Sequence, residues 1–174
     1  NNDKIRLGSS MKSENGCGIG AEFPYHHLIQ ILFILFFVLM WLMDALFLRL
    51  AINWFEFLYI DIIRISGFLF FTISAYFLIK KSAIVVKPET YNGTILVTHG
   101  IYSRTRHPMY LGIIFIYLAF VFLTFSLTLF FVWIFIVIIH NKMVSYEEKD
   151  LVNIFGEHYK KYQQNVPKWF PDLF

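Results

Sequence analysis

Apolar positions run through this chain in three long blocks, and the polar positions collect between them. Residues 28–48 form the first block, crossed by one charge at Asp44. Residues 62–79 form the second, with Arg64 near its start. Residues 109–139 form the third, 31 residues without a charged side chain. A membrane-spanning helix needs roughly 20 such residues. The third block would be roughly 45 Å long as one helix, against a hydrocarbon core of about 30 Å. It therefore either tilts and protrudes or folds into a hairpin. Thr124, Ser126 and Thr128 lie near its centre and mark a turn between two arms. The hairpin reading gives about four helices and places both ends of the chain on one side.

Charge distribution tests that arrangement. Cytoplasmic segments carry an excess of Lys and Arg. With a hairpin, Lys4, Arg6, Lys12, Lys80, Lys81, Lys87, Arg104, Arg106, Lys142, Lys149, Lys160, Lys161 and Lys168 share a face. Only Arg49 and Arg64 remain of the 15 basic residues. A single long span would carry the last five lysines across. The expectation is an all-α, multi-pass integral membrane protein with its polar clusters facing the cytoplasm. The chain is 57% hydrophobic and only 16% charged, too sparsely charged for an ordinary soluble domain. A net charge of +3 is too small to argue for nucleic acid, and Cys17 alone supplies neither a disulfide nor a thiol metal site.

Residues 1–21 are polar and read as a flexible tail; residues 22–174 read as one transmembrane domain. Gly16, Gly18 and Gly20 are not a dinucleotide fingerprint, because no strand precedes them. The first apolar block starts late and has full spanning length, unlike a signal peptide. Residues 80–107 read as a long loop holding Pro88, Asn92-Gly93 and Gly100. Residues 145–156 read as a short amphipathic surface helix that Gly156 ends or bends. Residues 166–171 read as an interfacial tail with Trp169 at headgroup level.

Two polar clusters bracket the third block. Arg104, Arg106 and His107 precede Pro108, which suits the first turn of a helix. They serve either as topology anchors or, beside the unpaired N–H groups of a helix start, as an anion site. Tyr102 and Tyr110 flank them and offer rings and hydroxyls to a ligand. Glu147-Glu148 follows the block. It reads either as a solvated helix start or as a carboxylate for a ligand ammonium, or for Arg106 across the hairpin. A hairpin brings both clusters to one depth. His140 and Lys142 close the last arm and suit an anionic headgroup or a substrate carboxylate. His26-His27 has no partner at ligand spacing, so no metal site is expected. Asp44 would snorkel toward the outer surface, and Asp61 would pair with Arg64.

Four segments in order carry a resemblance: Leu96-Val97-Thr98-His99-Gly100-Ile101-Tyr102, Arg106-His107-Pro108-Met109-Tyr110-Leu111-Gly112, Glu147-Glu148, and Phe155-Gly156-Glu157-His158-Tyr159-Lys160-Lys161-Tyr162, closing on Pro167 to Pro171. This pattern resembles the isoprenylcysteine carboxyl methyltransferases, and phospholipid N-methyltransferases carry a related one. It covers residues 94–171. The resemblance implies S-adenosylmethionine as methyl donor, with S-adenosylhomocysteine as product. It implies cofactor contacts at Thr94, Ile95, Leu96, Val97, Tyr102, His107, Pro108, Met109, Tyr110 and Glu147, under a C-terminal segment. Arg106 would orient substrate or pair with Glu147, and these two would carry the catalytic role. The acceptor would be lipophilic or small: a prenylcysteine-like carboxylate, a lipid amine or a thiol, reached from the bilayer. One departure stands out. Isoprenylcysteine enzymes place an arginine four residues before the acid, where this chain has Met143; Lys142 or His140 would have to substitute. Two rival readings share the general pattern, a membrane reductase using a nicotinamide cofactor and a non-catalytic membrane protein that kept the fold.

Overall fold

A computed structural model describes residues 26–44, 46, 58–90 and 96–170. The N-terminal tail, Thr94 and Ile95 lie outside the described residues. The described regular structure is helical. It comprises α1 (His26–Met43), α2 (Leu58–Thr90), α3 (Pro108–Thr124), α4 (Leu127–Phe155), α5 (Glu157–Asn165) and a 3-10 turn at Gly100–Ser103. Among the described residues, α2 through Asp61–Val86 and α4 through Leu127–Phe155 are long and apolar enough to cross a membrane. The apolar parts of α1 and α3 are shorter, Leu28–Met43 and Pro108–Thr124. The chain divides into two compact units. One contains Leu78–Met109 and Met143–Phe174; the other contains Tyr25–Phe77 and Tyr110–Lys142.

The second unit holds the hairpin. α3 ends at Thr124, whose hydroxyl donates back to the carbonyls of Phe120 and Val121 at 2.9 and 3.4 Å. Phe125 then takes a positive φ of 50°. Ser126 caps α4: its Oγ accepts the Leu129 N–H at 3.3 Å, the usual bond from an N-cap oxygen to the third helical residue. The Ser126 hydroxyl in turn donates to Asp44 Oδ2 at 2.8 Å, and Thr128 donates to Asp44 Oδ1 at 3.2 Å. Asp44 is only 2% exposed, so it is buried at the turn and does not snorkel to the surface. A carboxylate beside the start of α4 also complements the positive end of that helix.

Arg64 pairs with Asp61 at 3.3 Å, as the spacing suggests, and its Nε donates to the Leu123 carbonyl in the last turn of α3 at 3.0 Å. The core of this unit is Phe37, Tyr117, Val121, Leu129, Val132 and Ile136. Phe71 packs against both Phe115 and Phe122, with ring centroids 5.4 and 5.2 Å apart. Gly67 lets α2 approach Phe122 closely; a Cβ there would sit 2.3 Å from the Phe122 ring. Small residues at such crossings allow helices to approach where apolar burial alone gives no preference.

Two helix boundaries differ from the expectation. α2 runs on through Lys80, Lys81 and Ser82 to Thr90, where a loop was expected from residue 80. Lysine is a good helix former, and hydropathy marks where apolar character stops, not where the backbone hydrogen bonds stop. Likewise, residues 145–155 are not a separate surface helix but the end of α4. No Gly or Pro interrupts residues 127–155. The break falls at Gly156, at φ +57°, a backbone conformation that L side chains rarely adopt.

The hydroxyl–carboxylate cluster at the turn makes a direct expectation. Asp44→Ala removes the shared acceptor of two hydroxyls and costs about 1–3 kcal/mol. Asp44→Asn, which keeps one acceptor oxygen, retains more stability. Thermal unfolding in detergent, followed by tryptophan fluorescence, reads both; equal unfolding temperatures for wild type and Asp44→Ala would contradict this role.

Candidate functional site

The site residues of the first unit gather where the chain enters α3. Pro108 is the first residue of that helix, where its missing N–H leaves no gap. A residue before proline is held away from helical backbone, which keeps His107 out of α3, and Thr105, Arg106 and His107 form a non-helical strap leading into it. Thr105 is 2% exposed and donates to the Lys168 carbonyl at 3.2 Å. The Arg106 N–H donates to the Pro167 carbonyl at 3.1 Å. Residues 166–170 therefore pack back on the strap.

Arg106 is the densest junction of the unit. Its Nε donates to Glu148 Oε1 at 2.7 Å. Its Nη1 donates to the carbonyls of Gln163 at 3.0 Å and Val166 at 2.5 Å. α5 ends at Asn165, so the guanidinium caps the negative end of that helix. The same Glu148 oxygen accepts from His107 Nε2 at 3.1 Å. An ionised carboxylate can only accept, which fixes the proton of a neutral His107 on Nε2. Burial pushes the His107 pKa down, with the Glu148 contact opposing it and Arg106 and Lys168 adding to the depression. Arg106 and Glu148 side chains are each 11% exposed, so this is a buried pair, stable only because its remaining hydrogen-bonding capacity is met.

The pairing of Arg106 differs from the expectation. It engages Glu148, not Glu147, and its Nη1 is committed to two backbone carbonyls. The signal for Glu148 was present in the sequence. Val144, Glu148, Leu151 and Phe155 are buried at spacings of four, three and four, the inward stripe of a helix. Glu147 lies off that stripe and is half-buried, with its Oε2 atom enclosed.

Tyrosines and one lysine complete the unit. The Tyr102 hydroxyl lies 2.6 Å from Ser82 Oγ, and the Tyr102 carbonyl accepts the Tyr162 hydroxyl at 2.6 Å. Burial raises the Tyr102 pKa; the Ser82 bond opposes this and nearby Glu147 adds to it. Tyr159 and Tyr162 are also pushed up by burial and remain neutral phenols within a core of Leu151, Phe155 and Val166. Lys168 Nζ donates to Ser145 Oγ at 2.8 Å and sits 5.8 Å from the Trp169 ring centroid. Burial holds its pKa below the ordinary lysine value, with Glu148 opposing. The Trp169 ring is 6.2 Å from that of His107.

Of the expected cofactor contacts, Leu96, Val97, Tyr102, His107, Pro108, Met109 and Glu147 belong to this unit. Val97 is buried, Leu96 packs on the apolar cluster and Met109 is 41% exposed. Tyr110, His140 and Lys142 belong to the second unit. His140 is fully buried there, with Nδ1 2.9 Å from the Ile136 carbonyl, Nε2 3.0 Å from Gln30 Nε2 and the Tyr110 ring 6.0 Å away. Lys142 is exposed. Met143, at the position of the expected substrate arginine, is 3% exposed and part of the core.

Methanethiol S-methyltransferase of Pseudomonas deceptionensis is 37% identical over 73 residues, 42% of this chain and 27% of its own. Protein-S-isoprenylcysteine O-methyltransferase of Schizosaccharomyces pombe is 37% identical over 79 residues, 44% of this chain and 33% of its own. Methanethiol S-methyltransferase 1 of Bradyrhizobium diazoefficiens is 35% identical over 71 residues, 41% of this chain and 24% of its own. The matches thus span about a third or less of the length of these curated relatives. No solved structure matches the chain. The family model for phospholipid methyltransferases, however, matches residues 46–158, well over half of the chain and most of the residues that build the buried cluster. On that match the chain belongs to the phospholipid methyltransferase family.

Proposed function

We propose that this chain is an S-adenosylmethionine-dependent methyltransferase acting on a lipophilic or small acceptor at a membrane surface. The observation that carries the reading is the buried Arg106–His107–Glu148 cluster at the start of α3, with Glu147 beside it in sequence. Under this reading the helices form a four-span, multi-pass protein. The basic residues and the cluster then face the cytoplasm.

The residues of the first unit fit the amino-acid end of the cofactor. A helix start offers N–H donors and a positive dipole to a carboxylate, and Met109 stands in the first turn of α3. Lys168 adds a cation nearby, and its lowered pKa reflects the enclosed setting. A carboxylate oxygen as enclosed as Glu147 Oε2 suits an ammonium group. The Tyr102 ring offers a face to a sulfonium or to adenine. When bound, S-adenosylmethionine supplies an electrophilic methyl group on a positively charged sulfur. The protein's part is largely orientation, which can supply most of the rate for a displacement of this kind. Arg106 is a positioning residue: it ties the strap, α4 and the end of α5 together and holds Glu148 and His107 in place. A carboxylate acceptor is nucleophilic at neutral pH, whereas a thiol or amine acceptor must lose a proton. The buried Met143 leaves no cation at the position where isoprenylcysteine enzymes carry their arginine. This favours an acceptor that needs no such cation.

Calorimetry in detergent tests the reading. S-adenosylhomocysteine binds the wild-type protein, and Glu147→Ala weakens binding about tenfold or more, the loss of one charge-assisted hydrogen bond. Absence of binding, or binding of NADPH in its place, would refute a methyltransferase. Labelled S-adenosylmethionine offered with prenylcysteine, phosphatidylethanolamine and small thiols then assigns the acceptor.

The clamp itself sets two stability expectations. Glu148→Ala strands Arg106 in a buried site and costs about 3–5 kcal/mol, more than Glu148→Gln. Thermal unfolding reads the difference, and equal losses would argue against a buried pair. His107 has its folded pKa lowered from 6.5, so below about that pH the unfolded chain binds a proton that the folded one resists. Stability is therefore fully present above pH 6.5 and falls as pH drops toward the folded value. His107→Gln flattens this part of the profile; an unchanged slope would show that another group sets it.

A further inference from the structure

The extension of α2 beyond the apolar block does work that neither the sequence motifs nor the family match assigns. Ser82 is 1% exposed although it directly follows two lysines. Its Oγ lies 2.6 Å from the Tyr102 hydroxyl, a short bond between two neutral groups. One turn further, Val85 packs at the start of the turn that carries Tyr102. A Cβ at Gly100 would lie 3.0 Å from Val85 Cγ2, and Gly100 has a φ of +65°. Ser82 and Val85 stand at i and i+3, on one face of α2. That face therefore meets the 3-10 turn Gly100–Ser103 through one hydrogen bond, and Val85 leaves no room for a side chain at Gly100. Tyr102 is also held at its carbonyl by Tyr162, so both its backbone and its phenol are fixed.

We propose that Ser82 is a positioning residue that holds the Tyr102 ring in the orientation required by the methyl donor. The proposal rests on the methyltransferase reading and on Tyr102 as a cofactor contact. A phenol hinged only at its backbone would sample several rotamers. A fixed ring has already met that ordering cost before the ligand arrives. Ser82 touches no ligand itself and acts through Tyr102.

The test is a double-mutant cycle read by S-adenosylhomocysteine calorimetry on the full chain in detergent. Ser82→Ala is expected to weaken binding about tenfold, as Tyr102→Phe does, which is the scale of one buried hydrogen bond. Adding Ser82→Ala to Tyr102→Phe is expected to weaken it no further, because the two act as one unit. Unfolding temperatures of all four proteins are measured in parallel. A merely structural serine would lower the unfolding temperature and leave affinity alone. Unchanged affinity in Ser82→Ala, or losses that simply add, overturns the role of Ser82 while wild-type binding leaves the methyltransferase reading standing. If wild type itself binds no S-adenosylhomocysteine, both fall. Should Ser82→Ala fail to fold, Ser82→Cys replaces it in the cycle, and the same two results decide.

Discussion

One carboxylate oxygen, Glu148 Oε1, is the constraint on which the first unit depends. It accepts from Arg106 at 2.7 Å and from His107 at 3.1 Å. Burying such an ion is costly, and the cost is offset only if every donor around it is committed. Arg106 reaches in two directions, to Glu148 on α4 and to the carbonyls that end α5. Its own N–H is tied to Pro167. Three chain segments distant in sequence, the strap, α4 and residues 163–167, thus share one charge, and a shift in any of them breaks a bond to Arg106 or Glu148. Burial, with Arg106 and Lys168 adding to it, pushes the His107 pKa down against the pull of Glu148.

The hairpin was legible because its determinants are local. Three hydroxyl residues in an otherwise apolar run can only mark a place where backbone groups need help, and Thr124 and Ser126 supply it on either side of Phe125. Asp44 was misread because its partners lie 82 and 84 residues away. Taken alone, an acid near the end of an apolar run belongs at the surface; opposite two hydroxyls and a helix start, it belongs inside. The lengths of α2 and α4 were misjudged for a different reason. Hydropathy reports the solvent a helix meets, whereas helix continuity depends on breakers, and α4 meets none before Gly156.

The choice between two adjacent acids shows where motif reading stops. Neighbouring residues on a helix point about 100° apart, so a Glu-Glu pair cannot serve one partner with both side chains. Which of the two faces inward follows from the stripe Val144, Glu148, Leu151 and Phe155. The pair divides between two settings: Glu148 completes the internal clamp, and Glu147 lies off the inward stripe. Arg106 moves with this assignment, from candidate chemistry to architecture. The motif that resembled a ligand site is therefore partly internal scaffold.

That division bears on how one fold can serve chemically different acceptors. Relatives of this chain are named for transfer to methanethiol and to isoprenylcysteine, and the family for phospholipids. A thiol, a carboxylate and an amine share no common recognition chemistry, so what such proteins can hold in common is the part that keeps the donor. The strap, Glu148 and the ends of α4 and α5 form a self-contained cluster built from residues of one unit. The position of the expected substrate cation, by contrast, is filled by Met143 and closed into the core. His140, one of the two candidate substitutes, has both ring nitrogens in contact, with Ile136 and Gln30. A scaffold that is saturated internally can tolerate change around it, because acceptor residues can vary without exposing the buried charge. The bonds of the clamp do not involve position 143, so an apolar residue there leaves the buried charge paired.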